Sequence, residues 1–358
     1  MFREDAIRAD RLRAGQLEAV QHDVRWLVEH SPEFIEVDCP ACGAGVADRV
    51  EPFTKGPMRY NRCKPCNTLY VSPRPDAQLL SAFYAQSRNY AYWNEHIFPA
   101  SEAARRAHIF EPRAARTRAL VERHLELGAD GKLGALVEVG AGFGTFGECM
   151  TALGVFKRIV VVEPTPDLAR TCRNRGLEVV ESPIESADFG DLSVDVLASF
   201  EVIEHLFSPA AFLARCAQLV RPGGILLLTC PNIEGFDLTV LREASDTIEH
   251  GHLNYFNPSS LSSLVESAGF TVIETLTPGQ LDVELVRKKV QAGLFTFGRT
   301  GAERFLERVV GDVALGDLYQ RFLADNGLSS HLWLVARRPV ESSESLGRSG
   351  PPERAPSP

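Results

Sequence analysis

The stretch Ala135-Leu136-Val137-Glu138-Val139-Gly140-Ala141-Gly142-Phe143-Gly144-Thr145-Phe146-Gly147 decides the fold. An apolar run carrying one acid breaks into closely spaced glycines, the pattern of a buried parallel strand, a tight turn and the start of a helix. Without a Cβ the glycines allow positive φ and let a ligand approach the backbone closely, so the turn reads as a seat. A regular alternation continues from it. Strands are expected at 136–139, 158–162, 177–180, 194–199 and 224–230, and helices from about 145, 166 and 208. Strands alternating with helices give βαβ units and a doubly wound parallel sheet. Right-handed crossovers bring the strand C-termini to one edge, where ligands of such sheets bind.

Two cofactor classes use such a turn. A dinucleotide needs Gly-x-Gly-x-x-Gly directly after the strand, with an acid about 20 residues on. Gly142, Gly144 and Gly147 fit that template, but it starts late, because the first glycine after the strand is Gly140. Read from the strand, the pattern is Glu138-x-Gly140-x-Gly142-x-Gly144. This resembles motif I of the class I S-adenosylmethionine-dependent methyltransferases. The resemblance implies that the turn wraps the methionine part of the cofactor and that Glu138 lies near its amino end. It also implies that Glu163, ending the next strand, accepts hydrogen bonds from both ribose hydroxyls, and that Ile184, in the loop Glu181 to Glu185, lies among the cofactor contacts.

Further segments carry the resemblance, in order, over about residues 130 to 275. Val194 to Leu206 resembles the family's fourth strand and its Glu-x-x-Glu-His loop, which would set Phe200 and Glu201 against the methyl donor. Arg221-Pro222-Gly223-Gly224 resembles the turn into strand five, which ends at Pro231-Asn232. Beyond it, Glu249-His250-Gly251-His252-Leu253-Asn254-Tyr255-Phe256 resembles the histidine-bearing stretch of deoxysugar C-methyltransferases and of small-molecule O-methyltransferases. His252 takes the position of the histidine that serves as base, and Gly251 stands where the C-methyltransferase pattern has an acid. His205 is the second candidate base, and for both histidines capping or packing of the local turn is the competing role. A helix over 258–268, a strand over 271–276, a mostly helical cap over 281–326 and a last strand over 331–336 complete a seven-stranded Rossmann-like sheet of the class I type.

Ahead of this domain lies Cys39-Pro40-Ala41-Cys42 and, after twenty residues, Cys63-Lys64-Pro65-Cys66. Two Cys-x-x-Cys knuckles supply four thiolates to a tetrahedral ion, the closed structural geometry of zinc, which leaves no position for a catalytic water. The pair resembles the zinc-ribbon-like domain of some sugar and natural-product methyltransferases. Disulfides are the other use of such cysteines and do not suit a cytosolic chain. Cys149, Cys172, Cys216 and Cys230 are scattered through the expected sheet and helices and read as small core hydrophobes.

The organisation expected is an N-terminal helical segment (1–35), the ribbon (36–75), a helical linker (76–128), the methyltransferase domain (129–340) and a disordered tail (341–358) rich in Ser, Pro, Gly and Glu. The N-terminal helices pack against the next module or a second copy of the chain in a homodimer. In the linker, Asp76 caps a helix, and Tyr90 and Tyr92 are candidate acceptor contacts, with plain packing as the even alternative. A formal charge of −9 argues against nucleic acid and anionic membranes. No apolar run reaches the length of a membrane span. The expected function is methyl transfer to a small polar metabolite such as a nucleotide-linked or polysaccharide sugar, in the cytoplasm, with S-adenosylmethionine and structural zinc. Its competitors are a cofactor-binding interaction protein with little catalysis and a nicotinamide oxidoreductase built on Gly142, Gly144 and Gly147.

Overall fold

A computed structural model describes residues 4–7 and 10–340, so the tail from Glu341 lies outside the described residues. The chain runs from α1 (Arg13–His30) into β1 (Arg49–Lys55), β2 (Met58–Cys63) and β3 (Leu69–Val71). The linker follows as α2 (Ala77–Gln86), α3 (Arg88–Tyr92), α4 (Phe98–Arg105) and α5 (Glu111–His124). Asp76 caps α2, its carboxylate accepting from the Leu79 N–H at 2.8 Å. The α/β series is β4 (Leu133–Val139), α6 (Thr145–Leu153), β5 (Phe156–Val162), α7 (Pro166–Asn174), β6 (Glu178–Val180), β7 (Val194–Phe200), α8 (Pro209–Leu219) and β8 (Val220–Pro231). After it come α9 (Phe236–Leu241), β9 (Asn254–Tyr255), α10 (Pro258–Ser267), β10 (Thr271–Leu276), α11 (Asp282–Gln291), α12 (Gly301–Gly311), α13 (Val313–Asp325) and β11 (His331–Arg337).

The main sheet has seven strands in the order β10-β11-β8-β7-β4-β5-β6, the class I order the sequence leads one to expect. Strands β4 to β8 run parallel, and β11 enters antiparallel between β8 and β10. Period-two alternation sorts its side chains. Val137 and Val139 pack with Phe212 and Leu213 of α8 and with Leu261 and Leu264 of α10. Leu136 faces the other way, onto Leu120 and Val121 of α5 and Phe146 and Met150 of α6. Burial of each such side chain stabilises by about 1.5–3 kcal/mol. Glu138 shares the parity of Leu136, so it points to the α5/α6 side, and that parity positions it for the site.

One finding refines the expectation and one departs from it. The linker is helical without a break from Phe98 to His124, but as α4 and α5 joined by a wider π turn over Arg106–Phe110. Pro112 lacks the N–H that would close the ordinary helical bond a turn back, so the backbone widens there. The ribbon, expected to be a module apart, is a four-stranded sheet β1-β2-β3-β9 whose last strand comes from the far side of the methyltransferase series.

Candidate active site

The glycine turn sits at the C-terminal end of β4. Gly140, Gly142 and Gly144 have φ of +78°, +55° and +72°, which ordinary residues rarely adopt. A Cβ on Gly140 would overlap Val202, whereas one on Gly142 would meet nothing within 4 Å, so Gly142 fronts open space. Gly147, expected as the third glycine of the dinucleotide template, lies inside α6, where a Cβ would come within 3.2–3.3 Å of Val161 and the Glu138 carboxylate. Its work is close helix–strand packing.

Glu138 is buried and its Oε2 has no hydrogen-bond partner among the described residues. Burial pushes its carboxyl up to about 8, against the pull of the Arg113 guanidinium. Glu163 is also buried. Its Oε2 accepts from the Gly142 N–H at 2.8 Å and its Oε1 from the Thr165 N–H at 2.9 Å, so it braces the glycine turn from the end of β5. Burial still raises its pKa. Ile184 is buried below this edge in a short 3₁₀ turn. Phe200 packs edge-on against Phe146 with ring centroids 4.7 Å apart, and the Arg113 guanidinium lies 4.6 Å over its ring.

Glu201 is left-handed at φ +55°. The Thr229 hydroxyl donates to its Oε1 at 2.6 Å, and His331 Nδ1 lies 3.4 Å from the same oxygen. Burial pushes the carboxyl up, but His331, Arg113 and the Thr229 hydroxyl outweigh it and hold Glu201 below the usual range. Arg113 on α5 and His331 at the start of β11 thus join the site without a motif to announce them. An arginine in an Arg-rich helix gives no period or spacing that marks it out.

On the acceptor side the structure brings His205, His252 and Tyr90 together. The imidazole centroids are 4.6 Å apart. His205 Nδ1 lies 2.8 Å from the Gly251 carbonyl and 3.4 Å from the Tyr90 hydroxyl. His252 Nδ1 lies 2.9 Å from the Thr247 carbonyl, and its Nε2 is 3.6 Å from Glu249 Oε1. A carbonyl can only accept, so Nδ1 is the donating nitrogen of each ring, and a neutral ring then has its lone pair on Nε2. Burial, with His252 beside it, lowers His205 to about 4. Tyr92 is not brought to this group: its hydroxyl donates to the Leu12 carbonyl at 3.2 Å, against the N-terminal helix. Glu204, fully buried, has neither carboxylate oxygen hydrogen-bonded among the described residues, and burial and Glu201 push it well above the ordinary range.

Among the described residues two clusters have the spacing of a metal site. Glu204, His205 and His252 form one, with one ligand atom from each within 4.8 Å of the others. Cys39, Cys42, Cys63 and Cys66 form the other. In it Cys39 Sγ lies 3.5 Å from Cys66 Sγ, and Cys42 Sγ 3.5 Å from Cys63 Sγ. The Cys39 thiol, followed by the Thr68 hydroxyl, draws the Cys66 thiol below its ordinary value. Four convergent sulfurs suit zinc.

Residues 111–275 match a family of methyltransferase domains. Those residues are a class I methyltransferase domain. It starts at the first residue of α5, the helix that carries Arg113, and ends inside β10. An S-adenosylmethionine-dependent methyltransferase of Mycolicibacterium smegmatis is 38% identical over 86 residues, 24% of this chain and 32% of that protein. A ubiquinone biosynthesis O-methyltransferase of Xanthomonas oryzae is 32% identical over 106 residues, 27% of this chain and 43% of that protein. The chain spans less than half of either relative. A methyltransferase of Archaeoglobus fulgidus of known structure aligns at 17% identity and a TM-score of 0.43, covering 63% of this chain and 93% of that one. The methyltransferase domain therefore holds the glycine turn, Glu163, Glu201 and both histidines, while the cysteines precede it and His331 follows it.

Proposed function

We propose that the chain transfers the methyl group of S-adenosylmethionine to a small polar metabolite, such as a nucleotide-linked or polysaccharide sugar. The observation that carries this reading is the open face of Gly142 on the turn that follows a buried Glu138, whose Oε2 has no hydrogen-bond partner among the described residues. An acid in that position wants a cation, and the methionine ammonium supplies one, whereas a pyrophosphate would be repelled. In this reading Gly140, Gly142 and Gly144 wrap the methionine part and Glu163 takes the ribose. Ile184, Phe200 and Glu201 line the remainder, and Arg113 faces the carboxylate. When bound, the cofactor supplies an electrophilic methyl carbon on a positively charged sulfur.

The protein's part is to align the acceptor and exclude water. His252 Nε2 would take the proton that the acceptor gives up on methylation. His205, lowered to about 4, is a poor proton acceptor at neutral pH and orients the acceptor with Tyr90. The four cysteines hold structural zinc. Outside that cluster Cys149, Cys172, Cys216 and Cys230 are buried single thiols, which supports a reducing, cytoplasmic setting. Among the described residues no helix is long and apolar enough to cross a membrane.

Calorimetric titration of the zinc-replete protein with S-adenosylhomocysteine, with NAD and with Glu163→Ala as controls, tests the reading. Micromolar binding of the first, weakened in the variant and absent for NAD, supports it. NAD binding would restore the dinucleotide template, and binding of neither would favour an interaction protein. The orphaned Glu204 favours one second reading, in which a divalent cation held by Glu204, His205 and His252 activates the acceptor in place of a base. Stoichiometric Mn²⁺ binding lost in Glu204→Gln would select it.

A further inference from the structure

The segment that carries His252 is held from below by the cysteine ribbon. β9 pairs with β3 in the register Leu69 to Tyr255 and Tyr70 to Asn254, and the Val71 N–H donates to the Leu253 carbonyl at 2.9 Å. On one side of this ladder the Tyr60 hydroxyl donates to the Glu249 carbonyl at 2.9 Å, and Lys55 Nζ to the Ser245 carbonyl at 2.7 Å. On the other, Asn257 Nδ2 donates to the carbonyl of Cys66, itself one of the four sulfur residues, at 2.9 Å. The Asn257 Oδ1 meanwhile accepts from the Ser260 N–H at 2.8 Å and caps α10. These anchors fasten residues 245–257 to β1, β2, β3 and the turn of Cys66, the segments between and around the two cysteine pairs.

Asn254 is the junction of this device. Its Oδ1 accepts from Arg74 Nη1 at 2.8 Å, and Arg74 is itself buried, with Nη2 donating to the Phe207 carbonyl at 2.5 Å. Its Nδ2 reaches the carbonyls of Ile203, Glu204 and Leu206 at 3.3, 3.3 and 2.8 Å. The Leu253 N–H also donates to the Glu204 carbonyl, at 2.8 Å. One buried amide thus ties the loop of His205 to the segment of His252, and Arg74 ties both to the exit of the ribbon. A buried amide satisfied on both ends fixes its neighbours, because leaving any of these buried groups unpaired is unfavourable.

We propose that the ribbon is the mould of the acceptor side: Asn254, pinned by Arg74 and by its pairing to β3, is the positioning residue that holds His252 against His205, and metal on the four cysteines maintains that pairing. The inference rests on the readings that the cysteines take zinc and that His252 acts on the acceptor. Because Glu138 and the glycine turn hang on β4 and β5 instead, metal loss should loosen the acceptor side and spare the cofactor side.

The experiment is hydrogen exchange on the full chain, zinc-loaded and chelator-stripped, with the imidazole proton signals of His252 followed by NMR and S-adenosylhomocysteine affinity by calorimetry. Stripping is expected to speed exchange at 245–257 by about tenfold or more and to shift the His252 signal. Exchange at 133–163 should hold, with affinity within about threefold. Asn254→Asp keeps an acceptor for Arg74 but loses the Nδ2 donors. It should retain zinc and cofactor affinity yet loosen 201–207 and 245–257 with the metal in place. Arg74→Lys, with one donor nitrogen in place of the two that reach Asn254 and Phe207, should give a smaller change of the same kind. Opening of 39–66 alone on stripping, or unaltered exchange in Asn254→Asp, overturns the proposal. A protein that takes up no zinc overturns the metal's part and the zinc reading together, whereas the Asn254 variant judges the positioning with or without it. Full activity of His252→Ala would remove the base reading and leave these exchange results as they stand.

Discussion

Glu138 is a buried carboxyl with one oxygen unpartnered among the described residues, and its consequences can be measured. Its folded pKa, about 8, lies above the ordinary carboxyl value, so the cofactor-free protein keeps it protonated at pH 7. Stability from this group is full below the unfolded pKa and falls as pH rises through the folded one. Glu138→Gln should therefore raise the melting temperature of the cofactor-free protein at pH 8 relative to pH 5, while weakening S-adenosylhomocysteine binding by about tenfold or more. If the ligand's ammonium draws Glu138 into its charged form, wild type should release close to one proton per chain on binding at pH 7. Calorimetry in buffers of different ionisation enthalpy reads that number, and no release would mean that the ammonium lies elsewhere. For the base, His252→Ala should lower turnover by about 10²-fold and leave cofactor affinity within a few-fold. At this scale the sequence is legible where chemistry needs a rare pattern. An acid inside an apolar strand before glycines is such a pattern, and so are paired cysteine knuckles. Arg113 and His331 are not, because the former is one arginine among several on α5 and the latter reaches Glu201 only through the position of β11 in the sheet.

Among the elements, the turn after β4 divides its glycines by task. Gly140→Ala strains a positive φ and overlaps Val202, so it should destabilise the fold by more than the roughly 1 kcal/mol that the backbone alone accounts for. Gly142→Ala meets open space, so apart from its own backbone strain it should act mainly on the ligand, and the loss of S-adenosylhomocysteine affinity should exceed the loss in melting temperature. Thermal melts with and without ligand separate the two. The long strands and their helices follow the alternation of apolar runs, and β10 is found where expected, at Thr271–Leu276. β9 could not be read this way, since two residues show no period and its partner lies in another part of the chain. The π turn before α5 likewise leaves no trace in an apolar repeat, although Pro112 marks where the helix must change.

At the scale of the whole molecule, the matched domain is not a structural unit by itself. Its last strand, β10, reaches β8 only across β11, whose seven residues His331–Arg337 pair with β8 from Ile225 to Pro231. A chain truncated after residue 275 should therefore lose the β8–β11–β10 portion of the sheet and expose an apolar edge, and it should precipitate or fail to show a cooperative melt. The ribbon poses the same question of completeness in time. Arg74 and Asn254 stand 180 residues apart. A ribosome adding about 5–20 residues per second needs roughly ten to forty seconds to deliver that interval. Throughout it, β3 has emerged with an open edge and the cysteines have no finished sheet around them. Early metal capture or a chaperone bridging that interval would guard the nascent chain, and growth without zinc would then be felt first as lost yield.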